Sequence, residues 1–267
     1  MAFASHRLLL AALLLTGASK PAAARQSTDG PPPVVPATAI RLPAGAATVP
    51  FHVGEKLEYE VKFGSLKVGT GTMEVRDLAD VRGVTTWHTI FTIAGGIPFY
   101  RVNDRYESWF DVATLTTRRY HQDIDEGSYE PKRHYEFFNE RGMYQENDKP
   151  ELPTVAMPLD DGSFLYFVRT IPLDVGKEYS FSRYFKPDAN PVSIKVLRRE
   201  TIKVPAGTFK TVVLQPTFKS KGLFGEGGKA EVWVTDDERR MMVQMKSKLS
   251  VGSINLLLRA HNTKTPK

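Results

Sequence analysis

The chain has 267 residues, with 36 Lys and Arg against 30 Asp and Glu, 41% apolar, 25% charged and 10% aromatic residues, and no cysteine. That is globular composition and excludes wholesale disorder. The missing cysteine excludes disulfide frameworks, thiol nucleophiles, Cys-ligated zinc, iron–sulfur clusters and the cysteine-borne anchor of a bacterial lipoprotein.

Arg7, the apolar run Leu8 to Leu15 and the small residues Ala22, Ala23 and Ala24 read as a cleavable signal peptide over residues 1–24. The run falls short of the roughly 20 residues that cross a bilayer, so no transmembrane anchor is expected after cleavage. The expected location is therefore periplasmic or extracellular. Residues 25–50 hold six prolines and no aromatic residue; with little to bury, they read as an extended linker. The folded domain is expected over residues 51–267.

From Phe51 onward the dominant period is two. Leu57, Tyr59, Val61 and Phe63 alternate with Glu58, Glu60 and Lys62, and Gly64-Ser65 marks a hairpin into Leu66 and Val68. Gly69 and Gly71 in the return strand predict a bulge or sharp bend, because a residue without a side chain permits curvature. Trp87, Thr89, Phe91 and Ile93 share one face. So do Tyr100, Val102, Tyr106 and Phe110, counted in steps of two through Asp104 and Ser108. Further alternating runs lie at Arg133–Phe137, Tyr179–Phe185, Val192–Val196, Val212–Leu214, Val232–Val234, Met241–Met245 and Ile254–Leu258. Only one segment changes period: Phe164, Phe167, Val168 and Ile171 recur at helical spacing after a capping Asp161 and stop before Pro172. A plug or lid packed on the sheet is expected there. The fold class is all-β: one predominantly antiparallel, strongly curved sheet or barrel of about twelve strands with one short helix.

Four phrases stand in characteristic order: GEKLEYEVKFGSLKVGTGTMEV at 54–75, DRYESWFD at 104–111, RETIKVPAGTFKTVVLQP at 199–216, and VWVTDDERRMMVQMKSKLSVGSINLLL at 232–258. Together they resemble the domain of unknown function 3108 family of bacterial envelope proteins. The resemblance implies a secreted, mostly antiparallel β protein without an assigned activity, and supplies no catalytic or ligand residue.

The residues themselves point to no reaction. G-x-S-x-G is absent, and Ser163 and Ser253 read as cap or turn residues. His121 with Asp123 and His134 with Glu136 share strand faces, but no metal-binding spacing occurs, and cross-strand pairing is the preferred reading. Asp236, Asp237 and Glu238 are followed at once by Arg239 and Arg240, which reads as a self-neutralised hairpin. The glycine-rich KGLFGEGGK at 221–229 is not a phosphate loop; it reads as a hairpin tip, with Leu223 and Phe224 either exposed or folded back. No catalytic residue, cofactor or metal is expected.

Residues 177–267 carry 18 Lys and Arg against 8 acids, whereas residues 25–176 carry 16 against 22. A basic half could attract a lipid head group or another anionic envelope component, provided that strands of the two halves do not interleave. Export disfavours nucleic acid. The leading expectation is a non-catalytic envelope protein that binds an apolar or amphipathic ligand such as a lipid. Its candidate ligand-facing or interaction residues are Tyr59, Phe63, Trp87, Phe91, Tyr106, Trp233, Asp236, Arg239 and Arg240. The alternative is a structural or interaction scaffold with a filled core, and a hydrolase stands third. An outer-membrane barrel is disfavoured by the basic tail after His261, which has no terminal aromatic strand.

Overall fold

A computed structural model describes residues 45–98, 100–219, 230–248 and 253–263. The expected signal peptide, most of the linker and the 221–229 tip lie outside the described residues.

Fourteen strands form one antiparallel sheet among the described residues. They are β1 (Lys56–Phe63), β2 (Leu66–Val81), β3 (Val84–Ile97), β4 (Tyr100–Asp111), β5 (Thr117–Asp123), β6 (Lys132–Phe138) and β7 (Met143–Glu146). After these come β8 (Leu152–Pro153), β9 (Glu178–Phe181), β10 (Val192–Val204), β11 (Gly207–Thr217), β12 (Glu231–Thr235), β13 (Met242–Lys248) and β14 (Ser253–Asn262). Four-residue β7 and two-residue β8 are too short for alternation to show, which is why about twelve were expected.

The sheet runs β8 to β1 without interruption, then continues through β14 back to β9. Strands of the two sequence halves therefore do not interleave, and the charge asymmetry survives in space. The basic half forms one side of the molecule. The sheet is not closed by a ladder. Its free ends meet at a seam, where Leu159 and Tyr184 form an isolated parallel bridge. Leu159 N donates to Arg183 O at 2.6 Å, Phe185 N donates to Leu159 O at 3.0 Å, and Thr154 Oγ1 donates to Phe185 O at 2.8 Å.

Alternation sets the two faces. Leu57, Tyr59 and Val61 are buried while Glu58, Glu60 and Lys62 lie outward. Gly69 sits opposite Gly95 in the β2–β3 ladder, and a Cβ on Gly69 would lie 2.3 Å from Ala94 O. The glycines thus permit close strand approach, and one irregularity falls beside Gly69, at Val61/Lys62, while another lies further along β2, at Val75/Asp77. That close approach helps the sheet curl.

The helix α1 spans Asp161–Phe167, followed by a 3-10 turn over Val168–Thr170. Its cap is Asp160, one residue earlier than the spacing predicts. Asp160 accepts from Gly162 N and Ser163 N at 2.7 and 2.9 Å, and Asp160 N donates to Ser163 Oγ at 2.9 Å, a reciprocal capping box. Ser163 is thus the cap residue that the sequence suggested.

Candidate functional site

Antiparallel order places the β1–β2 and β3–β4 turns, the β5–β6 connection and the ends of β11 and β13 at one end of the curled sheet. We call this the hairpin end. The turns 82–83, 112–116 and 236–241 lie at the other, the helix end.

The helix end is sealed by buried charge and hydroxyl groups. Arg169, in the turn after α1, donates to Glu55 Oε1 and Oε2 at 2.6 and 3.0 Å, to Pro50 O at 2.8 Å and to Arg239 O at 2.9 Å. Both charges are buried. Arg240 returns the contact by donating to the carbonyls of Arg169 and Ile171. Asp236 pairs with Arg199 at 3.0 Å, and Arg239 pairs with Asp237 at 2.6 Å. The expected self-neutralised hairpin is present, and its job is to clasp the end of the barrel. Asp160 also accepts from Ser108 Oγ at 2.6 Å and Thr117 Oγ1 at 2.7 Å. Asp161 accepts from the hydroxyls of Tyr184 and Tyr120 at 2.9 and 3.1 Å. Burial raises the Asp161 carboxyl to about 6, against the pull of Lys186 and of those hydroxyls.

Inside, the aromatic residues are packed against protein. Tyr59 donates to Met242 O at 2.9 Å. Trp87 meets Phe51 edge-on at 5.2 Å, and Phe91 stacks on Tyr106 at 6.0 Å. None of the four is more than 7% exposed. Over these residues the interior is occupied by the protein's own side chains.

Trp233 lies on the opposite face, where its Nε1 donates to Glu200 at 2.6 Å under the Arg198 guanidinium. The outer face of β3–β6 carries a cross-strand row of rings. His88 stacks on Trp109 at 4.4 Å, Trp109 meets His121 at 4.9 Å, and His121 stacks on His134 at 4.1 Å. His121 and His134 are direct ladder partners, with Asp123 3.8 Å from His134 Nε2, so cross-strand pairing is what the geometry forms. Burial, His134 and Arg119 lower the His121 imidazole to about 4. Among the described residues no group of three His, Asp or Glu side chains is arranged to hold a metal.

Around the β1–β2 and β3–β4 turns of the hairpin end the surface is apolar and basic. Leu66 is 61% exposed and Ile97 39%, on neighbouring strands, with half-buried Phe63 beside them. Lys62 and Lys67 flank them and share Glu60 at 3.1 and 3.0 Å. Lys219, Lys246 and Lys248 complete the rim and make no ion pair among the described residues. The nine residues expected to mark one site thus fall in four places: interior, outer face, helix end and hairpin end. Of the nine, only Phe63 lies at this rim. The missed signal was the pairing of an apolar tip residue, Leu66, with a basic neighbour, Lys67.

Comparison with known proteins places these observations. Residues 58–259 match the family described as "Protein of unknown function (DUF3108)". A beta-barrel-like protein of domain of unknown function DUF1849 from Brucella abortus matches with TM-score 0.53 at 8% identity, over 82% of this chain and all of its own. It shares the fold. A candidate exported protein with a YmcC-like fold from Bacteroides fragilis matches with TM-score 0.30 at 11% identity, over 81% and 99% of the two chains. A candidate lipoprotein from Parabacteroides distasonis gives 0.30 at 10% identity, over 80% and 99%. No curated protein matches the chain. No described helix is long and apolar enough to cross a membrane.

Proposed function

The chain belongs to the DUF3108 family of proteins of unknown function, and from that premise we propose that it is an exported, non-catalytic protein of the cell envelope that binds an amphipathic, anionic lipid surface through its hairpin end. The observation that carries this reading is the contrast between the ends. One is clasped shut by a buried ion pair and a capped helix, while the other presents Leu66 and Ile97 among lysines. An apolar side chain that leaves water contributes about 1.5–3 kcal/mol, and each lysine near an anionic surface about 1 kcal/mol. Two apolar contacts and several lysines therefore suffice for reversible docking without a spanning segment. The packing of Tyr59, Trp87, Phe91 and Tyr106 favours a surface partner over a ligand held inside. Ser108 and Ser163 are taken up by the Asp160 cap, which supports a non-catalytic reading.

The test is flotation with vesicles of phosphatidylcholine alone or with phosphatidylglycerol added. Binding is expected to the anionic vesicles, weakening with salt and falling at least tenfold in the Leu66→Asp/Ile97→Asp variant. Wild-type protein that ignores anionic vesicles at low ionic strength would end this reading. So would a lipid that survives detergent-free purification in native mass spectrometry, because it would place the ligand inside.

A further inference from the structure

The β5–β6 connection, residues 124–131, is fastened to β4 instead of standing free. Glu126 bridges Val102 and Tyr129. Asn103 N donates to Asp125 O at 2.8 Å, Gly127 N to Arg101 O at 2.9 Å, and Asp125 N to Asp104 Oδ1 at 3.0 Å. Gly127 lies against the Tyr100 ring, where a Cβ would sit 3.2 Å from two ring carbons. Beneath this segment two carboxyl groups are buried together: Asp104 is 2% exposed and Glu126 3%.

Each carboxyl takes a tyrosine hydroxyl, from Tyr106 to Asp104 at 3.2 Å and from Tyr100 to Glu126 at 3.4 Å. Asp125 N, next in the chain to Glu126, bonds Asp104, so the two carboxyls lie close enough to repel when both are ionised. Two buried like charges disfavour full ionisation, so the fastened strap favours a proton on one of the two. The other charged groups facing the pair are Asp125 from the same segment and, toward Tyr106, Asp161 from α1. Arg101 is engaged outside by Asp125 at 2.8 Å, and Arg133 by the Tyr129 hydroxyl at 2.6 Å. Among the described residues no Lys, Arg or His bonds either carboxyl.

We propose that residues 124–131 are a proton-locked strap, which opens this side of the barrel's hairpin end when the buried Asp104–Glu126 pair becomes fully ionised. The second ionisation would leave two buried anions in contact with no cation to balance them, and lifting the strap returns Glu126 to water. Burial and the neighbouring Asp104 raise Glu126 to about 8 in the fastened state, against about 4.3 for a carboxyl in water. The folded value is the higher, so the lock is complete at acid pH and weakens as pH rises. Between those two values the opening constant climbs about tenfold per pH unit, and above about 8 it levels off.

Hydrogen exchange of the full chain tests this at the amides of Glu126, Gly127 and Tyr129, corrected for base-catalysed intrinsic exchange. In wild type the opening constant should rise about fiftyfold from pH 6 to 8 and by only about another twofold above that. Glu126→Gln puts a neutral amide of the same size in that position, without an ionisable proton, so its opening constant should be flat throughout. A flat wild type, or a variant that rises in parallel with it, overturns the strap. Should the variant not fold, carbon-13 NMR titration of the wild-type carboxyls decides: Glu126 is expected to titrate near 8, and a midpoint near 4 refutes the lock.

Discussion

Replacing Arg169 should show that the helix end is held by one buried ion pair. Arg169→Met strands the Glu55 carboxylate in the protein interior and leaves the Pro50 and Arg239 carbonyls without their donor. Breaking a buried pair from one side costs about 3–5 kcal/mol. At roughly 2–4 °C per kcal/mol for a domain of this size, Tm should fall by about 6–20 °C. The second member of the cycle, Arg169→Met/Glu55→Leu, removes the stranded charge as well. The lost carbonyl bonds, at about 1 kcal/mol each, remain missing. The double variant should therefore regain about half of the loss. Urea unfolding midpoints with an unchanged m-value are the assay. A double variant no more stable than the single, or a single variant that loses under about 1 kcal/mol, would refute the argument that desolvated charge governs this end.

Two further outcomes follow from geometry elsewhere. Gly69→Ala forces a Cβ to within 2.3 Å of the Ala94 carbonyl oxygen, so β2 and β3 must part; a loss of about 1–3 kcal/mol in urea unfolding is expected. Asp161 has a folded value of about 6, above the roughly 3.9 of an unfolded aspartate. Its contribution to stability is therefore fully present below about pH 4 and is lost as pH rises through 6. Thermal unfolding from pH 4 to 7 should show a decline in wild type that is smaller in Asp161→Asn, and parallel profiles would count against it.

What the sequence revealed was local, and what it hid was not. Alternation assigned Asp104 and Ser108 to the same strand face as Tyr100, Val102, Tyr106 and Phe110, and both are buried there. Their partners lie 22 and 52 residues away, in a connection and a helix cap whose positions depend on how the sheet curls. The Arg169–Glu55 pair spans 114 residues and was invisible for the same reason. Charge behaved similarly: composition revealed a basic half, but only the strand order, which keeps β9–β14 contiguous, turns it into a side of the molecule. A usable signal was nevertheless present. A carboxylate on an otherwise apolar strand face is too costly to bury without partners, so Asp104 among Val102, Tyr106 and Phe110 already implied a second polar group arriving from elsewhere. Residues that break an apolar face mark where distant segments must meet, and in this protein they mark both the strap and the cap.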